Sequence, residues 1–124
     1  MRIMMVEDEN EVGRLIGRVA VKIGTLIKLV NPMHILFVKA SGDYVDVTMT
    51  TGETLHTKEL ISHFENRLSK YLFLRVHRSY IVNSEYIREI RTKGDDYELV
   101  VSDGTKIPSG CTYRKQIQNQ FLEK

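Results

Sequence analysis

Four histidines, one cysteine and scattered hydroxyls carry most of the chemistry available to this chain of 124 residues. The histidines are His34, His56, His63 and His77, and no pair has the spacing that sets two imidazoles on one helix face around zinc. Cys111 has no second cysteine to form an internal disulfide or a cysteine-rich metal site. His77 and Ser79 stand two residues apart, which on a strand puts both side chains on one face. Neither a nucleophile elbow nor an orienting acid accompanies them. Asp43 with Asp46, and Asp95 with Asp96, are possible carboxylate pairs, but turns favour Asp for local backbone bonding, and that reading is preferred. Glycine-rich phosphate loops are missing. The expectation is a protein that is not an enzyme and needs no metal or cofactor.

What remains is basic and centred on loops. Arg75, His77, Arg78, Ser79 and Tyr80 form one cluster of hydrogen-bond donors. Ser109, Gly110, Cys111, Thr112, Tyr113, Arg114 and Lys115 form a second, at the start of a helix. Free N–H groups at a helix start suit phosphate, and Arg, Ser, Thr and Tyr donate to phosphates and base edges. By composition alone, the same residues fit a solvated loop and a helix cap equally well.

The elements that must position these clusters are mostly strands. Val19 to Ile23 is a β-branched run closed by Gly24, and Leu26 to Val30 is a second strand that stops at Asn31-Pro32. Ile35 to Ala40 is apolar on both faces, with Ile35 and Phe37 expected on one side and Leu36 and Val38 on the other. After the turn Ser41-Gly42-Asp43, Val45, Val47 and Met49 alternate with Tyr44, Asp46 and Thr48. Glu53 to His56 reads as a short strand. The period then becomes helical: Leu60, Ile61, Phe64 and Leu68 make one stripe, predicting a helix over Lys58 to Ser69 with Thr57 as its N-cap. Phe73 to Arg75 is extended, and Ser79 to Asn83 is too short to assign. Tyr86 to Arg91 and Tyr97 to Ser102 form a hairpin about Gly94, and Lys106-Ile107 is extended. Tyr113, Ile117 and Phe121 mark a short C-terminal helix. The pattern is α+β, mostly β.

Composition agrees with one globular domain: 42% of residues are hydrophobic and 27% charged. The longest uncharged apolar run, Leu29 to Val38, is far short of the ~20 residues of a membrane helix. No signal peptide is expected, because acidic residues follow the short apolar start at once. The net charge of +2 hides an asymmetry. Among residues 1–11, Arg2 stands against Glu7, Asp8, Glu9 and Glu11, a net of −3, so the remainder carries +5.

The run Phe73-Leu74-Arg75-Val76-His77-Arg78-Ser79-Tyr80-Ile81-Val82-Asn83 resembles the signature of the LytTR family of bacterial DNA-binding domains. Ile35-Leu36-Phe37-Val38, Gly42-Asp43-Tyr44-Val45, Leu99, Asp103-Gly104 and Lys106-Ile107-Pro108 fall in the family's order. The resemblance, from about Arg18 to Phe121, implies short antiparallel sheets stacked along one axis, with one main helix and a short C-terminal helix. It implies loops inserted into successive major grooves of double-stranded DNA at promoter direct repeats. A homodimer or two copies on DNA, bacterial transcription regulation and a cytoplasmic location follow from the same likeness. Carried over by motif, the DNA-facing loops are Ser41, Gly42, Asp43 and Tyr44; His77, Arg78 and Ser79; and Ser109, Gly110, Cys111 and Thr112, backed by Arg114 and Lys115. Arg78 is the expected base reader, while Arg114 and Lys115 suit phosphates. Arg75 is left open between a structural and a phosphate-binding role. In relatives a basic residue often follows the serine of the third loop; here Gly110 and Cys111 stand there, and Arg114 is a candidate replacement.

The opening residues, Met1 to Glu9, resemble the first strand and acidic pair of a response-regulator receiver. About seventeen residues leave no room for a receiver, so residues 1–17 are expected to be an arm or packing element and 18–124 the DNA-binding domain. The alternative from another class is a protein-interaction module whose basic loops bind an acidic partner.

Overall fold

The computed structural model describes residues 17–122, so the arm expected over residues 1–17 lies outside the described residues but for Gly17. Ten strands form three antiparallel sheets. Strands β1 (Val19–Ile23) and β2 (Leu26–Val30) make a hairpin. Strands β3 (Ile35–Ser41), β4 (Tyr44–Met49), β5 (Thr54–Thr57), β6 (Phe73–His77) and β7 (Tyr80–Asn83) make a sheet in the order β5-β4-β3-β7-β6. Strands β8 (Ile87–Lys93), β9 (Asp96–Val101) and β10 (Lys106–Pro108) make the third, with β9 central. The main helix α1 spans Ile61–Leu68. The short α2, Arg114–Ile117, runs on into a wider turn over Gln118–Leu122.

Two cores flank the five-stranded sheet. On one face Val45, Val47, Leu55 and Ile81 pack with Val19, Val21 and Val30 of the first hairpin and with Phe64 and Leu68 of α1. On the other, Leu36, Phe37, Val76 and Val82 pack with Leu99, Val101 and Ile107 of the third sheet and with Ile117 of α2. The sheets therefore lie in layers, and β3, apolar on both faces, sits between the two cores.

The alternation expected along β3 is broken. Ile35 pairs with Met49 and Phe37 with Thr48, so Leu36 is the extra residue of a β-bulge. A bulge resets which face the following side chains take. Ile35 and Val38 consequently share one core, and Leu36 and Phe37 the other.

The helix also starts later than its stripe suggests. Thr57 is the buried last residue of β5, paired with Val45, and does not cap the helix. Leu60 occupies the N-cap position without a side-chain hydrogen bond and is 63% exposed. A register-fixed strand partner outweighs the ~1 kcal/mol that a threonine cap contributes. The piece Ser79 to Asn83, unassigned by pattern, is largely strand β7, closing a hairpin with β6. Asn83 holds that hairpin to the core: its Nδ2 donates to the Ile35 carbonyl at 3.0 Å, and its Oδ1 accepts from the Glu85 amide at 3.0 Å.

Candidate nucleic-acid interface

Two hairpin tips share one end of the five-stranded sheet. β3 turns through Gly42-Asp43 into β4, and β6 turns through Arg78-Ser79 into β7. Gly42 has φ +62, the left-handed conformation that a two-residue hairpin turn needs and glycine adopts at least cost. Because Lys39 pairs with Tyr80, the end of β3 lies beside the start of β7. The Ala40 amide donates to the Ser79 carbonyl at 2.8 Å, tying the two tips together.

The third loop is fastened to the second by backbone. The Gly110 amide donates to the Val76 carbonyl at 2.8 Å, and a Cβ at Gly110 would lie 3.6 Å from Cδ2 of His77. Ser109 fastens the loop's other side to β9: its amide donates to the Tyr97 carbonyl at 3.0 Å, and its Oγ accepts from the Tyr97 amide at 2.9 Å. Ser109 is accordingly buried, whereas Cys111 and Thr112 are exposed. The three expected loops are thus gathered by hydrogen bonds among main-chain groups that side-chain patterns do not encode.

Within this cluster the basic residues divide sharply. Arg75 is turned inward, with a side chain 11% exposed. Its Nε donates to the His77 carbonyl at 2.8 Å, its Nη2 to the Arg78 carbonyl at 2.5 Å and its Nη1 to Glu65 Oε1 at 2.5 Å. The guanidinium also lies 5.7 Å from the centre of the Tyr113 ring. This resolves the open reading of Arg75: every arm of its fork is used inside the protein. Arg114 is engaged as well, donating to the Asp95 carbonyl at 2.6 Å and lying 3.7 Å from the Asp96 carboxylate. By contrast Arg78 and Lys115 are exposed, and neither side chain has an intramolecular hydrogen bond or ion pair among the described residues.

His77 and Ser79 do not form a hydroxyl–imidazole pair. Nδ1 of His77 accepts from the Ser79 backbone amide at 3.0 Å, which orients the ring along the turn. Ser79 lies in the turn beyond β6, and a second bulge, at Val76, separates Arg75 from His77 in the ladder. Strand periodicity therefore does not carry across these residues.

Two residues that the sequence did not assign to the interface lie near the tips. His56 stacks on Tyr44, centroids 4.3 Å apart and planes 17° from parallel, while its Nδ1 is hydrogen-bonded to Asp46. Only the register that pairs Asp46 with His56 brings them together. Lys39 is exposed at the end of β3, its ammonium 5.9 Å from the centre of the Tyr80 ring. Among the described residues, no three His, Cys, Asp or Glu side chains gather as metal ligands, and no helix is long and apolar enough to cross a membrane.

The family model of the LytTr DNA-binding domain matches residues 26–122. The chain belongs to the LytTR family of DNA-binding domains. Sensory transduction protein LytT of Bacillus subtilis is 32% identical over 102 residues, which is 82% of this chain and 42% of LytT. Transcriptional regulatory protein LytR of Staphylococcus aureus is 31% identical over 70 residues, 56% of this chain and 28% of LytR. The LytTR chain thus spans less than half the length of these curated relatives. A solved LytTr DNA-binding domain from Bacillus cereus superposes with a TM-score of 0.74 at 23% identity, covering 86% of this chain and 97% of that one. That likeness shows the fold: layered antiparallel sheets with one main helix and a short C-terminal one, as the sequence predicts.

Proposed function

We propose that this LytTR domain binds double-stranded DNA sequence-specifically through the loops at Ser41–Tyr44, His77–Ser79 and Ser109–Thr112, which enter successive major grooves. The observation that carries the reading is the pairing of two backbone ties, Ala40 to Ser79 and Val76 to Gly110, with an unengaged guanidinium at the middle loop. Arg78 has its full fork free for the O6 and N7 acceptors of a guanine. Lys115, on α2, supplies a point charge for a phosphate, which positions the domain without reading sequence. Ser109 serves the site by holding the third loop, and Cys111 and Thr112 are its presented groups. Arg114, occupied by the β8–β9 turn, braces that loop. Residues 18–124 constitute the binding domain in this reading, and residues 1–17 a separate segment.

In the cell this binding regulates transcription in the bacterial cytoplasm, with two copies or a homodimer on promoter direct repeats. Selection of bound duplexes from a random pool tests the whole reading. A recovered motif that recurs in direct repeat supports it, and recovery of unenriched sequence overturns it. Salt separates DNA from an acidic protein partner. On B-DNA, log K falls linearly with log salt with a slope of about −0.9 for each phosphate neutralised.

A further inference from the structure

Arg75 ties together three parts of the molecule that are remote in sequence. Its guanidinium bonds the last two carbonyls before Ser79, reaches Glu65 on α1 and faces the Tyr113 ring beside the third loop. Those carbonyls belong to His77 and Arg78, the residues whose side chains the second loop presents. Arg78 itself has no side-chain partner among the described residues, so the direction of its side chain rests on its backbone. The bulge at Val76 removes part of the ladder that would otherwise define that backbone.

We propose that Arg75 is a positioning residue for sequence readout: with Glu65 as its anchor, it holds the backbone at Arg78 in the conformation that aims the guanidinium of Arg78 at a base. The inference rests on the DNA-binding reading above and deepens it. Chemistry favours arginine at position 75 over any other residue. A planar fork satisfies two carbonyls and a carboxylate at once, whereas a lysine offers a point charge on a flexible stem. Glu65 orients the fork through Nη1, leaving Nε and Nη2 to the loop. Preorganisation of this kind raises affinity by reducing the ordering that binding would otherwise require. It therefore acts on the complex in which Arg78 makes its base contact and leaves phosphate-only binding alone.

The test uses the full chain, a duplex it selects from a random pool, and a scrambled duplex of the same composition. Arg75→Lys should weaken binding to the selected duplex about tenfold while changing the scrambled duplex less than about twofold. In an Arg78→Ala background, the same Arg75→Lys change should cost less than about twofold on the selected duplex, because the residue through which it acts is gone. Glu65→Gln, whose carboxylate is half-exposed, should reproduce the selective loss with an unchanged thermal midpoint, which keeps the inference testable where Arg75→Lys is poorly folded. Equal losses on both duplexes, or a full loss persisting without Arg78, would make Arg75 merely structural and overturn the inference. Specific binding by the unsubstituted chain together with those results leaves the proposed function standing. Failure of the unsubstituted chain to select any duplex overturns both.

Discussion

Nη2 of Arg75 donates to the carbonyl oxygen of Arg78 at 2.5 Å, so one arginine of the signature run is spent holding the backbone of the other. Three residues apart and both cationic, the two have opposite fates: one inward and bonded through all three nitrogens, the other exposed and without a side-chain partner among the described residues. This division sets the expectations for substitution at the proposed interface.

Arg78→Ala should remove base readout. A bidentate guanine contact discriminates by about 1–3 kcal/mol, so affinity for a selected duplex should fall by roughly 5- to 150-fold, with a much smaller effect on scrambled DNA. Competition binding with the two duplexes measures this directly. Parallel losses would remove Arg78 as a reader.

Lys115→Ala should act differently. Loss of one phosphate contact weakens selected and scrambled duplexes alike and makes the salt slope shallower by about one unit. A titration of affinity against salt for the two proteins checks both statements, and an unchanged slope would place Lys115 off the phosphate track.

Asn83→Ala should destabilise the fold. The side chain is 1% exposed and satisfies the Ile35 carbonyl and the Glu85 amide. Leaving the buried Ile35 carbonyl without this donor costs about 1–3 kcal/mol. Urea unfolding at constant m-value reads the loss. The asparagine that ends the signature run is thereby a residue of the scaffold.

Phe64→Ala should cost more, about 3–5 kcal/mol, because the ring is completely buried between α1 and the five-stranded sheet and leaves a cavity behind. The same urea measurement applies, and a loss below about 1 kcal/mol would show that the helix is dispensable to the core.

Deletion of residues 1–11 should leave the thermal midpoint of the remaining chain unchanged. It removes a net charge of −3 and should tighten binding to scrambled DNA through reduced repulsion. A lowered midpoint would assign the segment to the core.

Much of this molecule is legible in linear order. Strand β4 and the stripe of Phe64 and Leu68 follow from periodicity, because each side chain's face is set by its own spacing, while β1 and β2 follow from apolar runs bounded by Gly24 and Asn31-Pro32. Periodicity fails where an extra residue enters the ladder, at Leu36 and Val76, since a bulge is selected by the partner strand. It fails again at Thr57, a good cap by type that register assigns to β5.

For the interface, the sequence by itself determined which residue types are available: a run bearing Arg75, His77, Arg78 and Ser79, and a second cluster ending in Arg114 and Lys115. It also determined the family likeness carried by those residues. Only the tertiary structure decided which cations are free. Arg75, Arg78, Arg114 and Lys115 are all cationic in sequence, but a guanidinium is engaged when folding brings carbonyls or a carboxylate within about 3 Å of it. Glu65 and the His77 and Arg78 carbonyls do this for Arg75, and the Asp95 carbonyl does it for Arg114. Such partners are fixed by strand register and the packing of α1, so the exposure of Arg78 and Lys115 is a property of the folded chain.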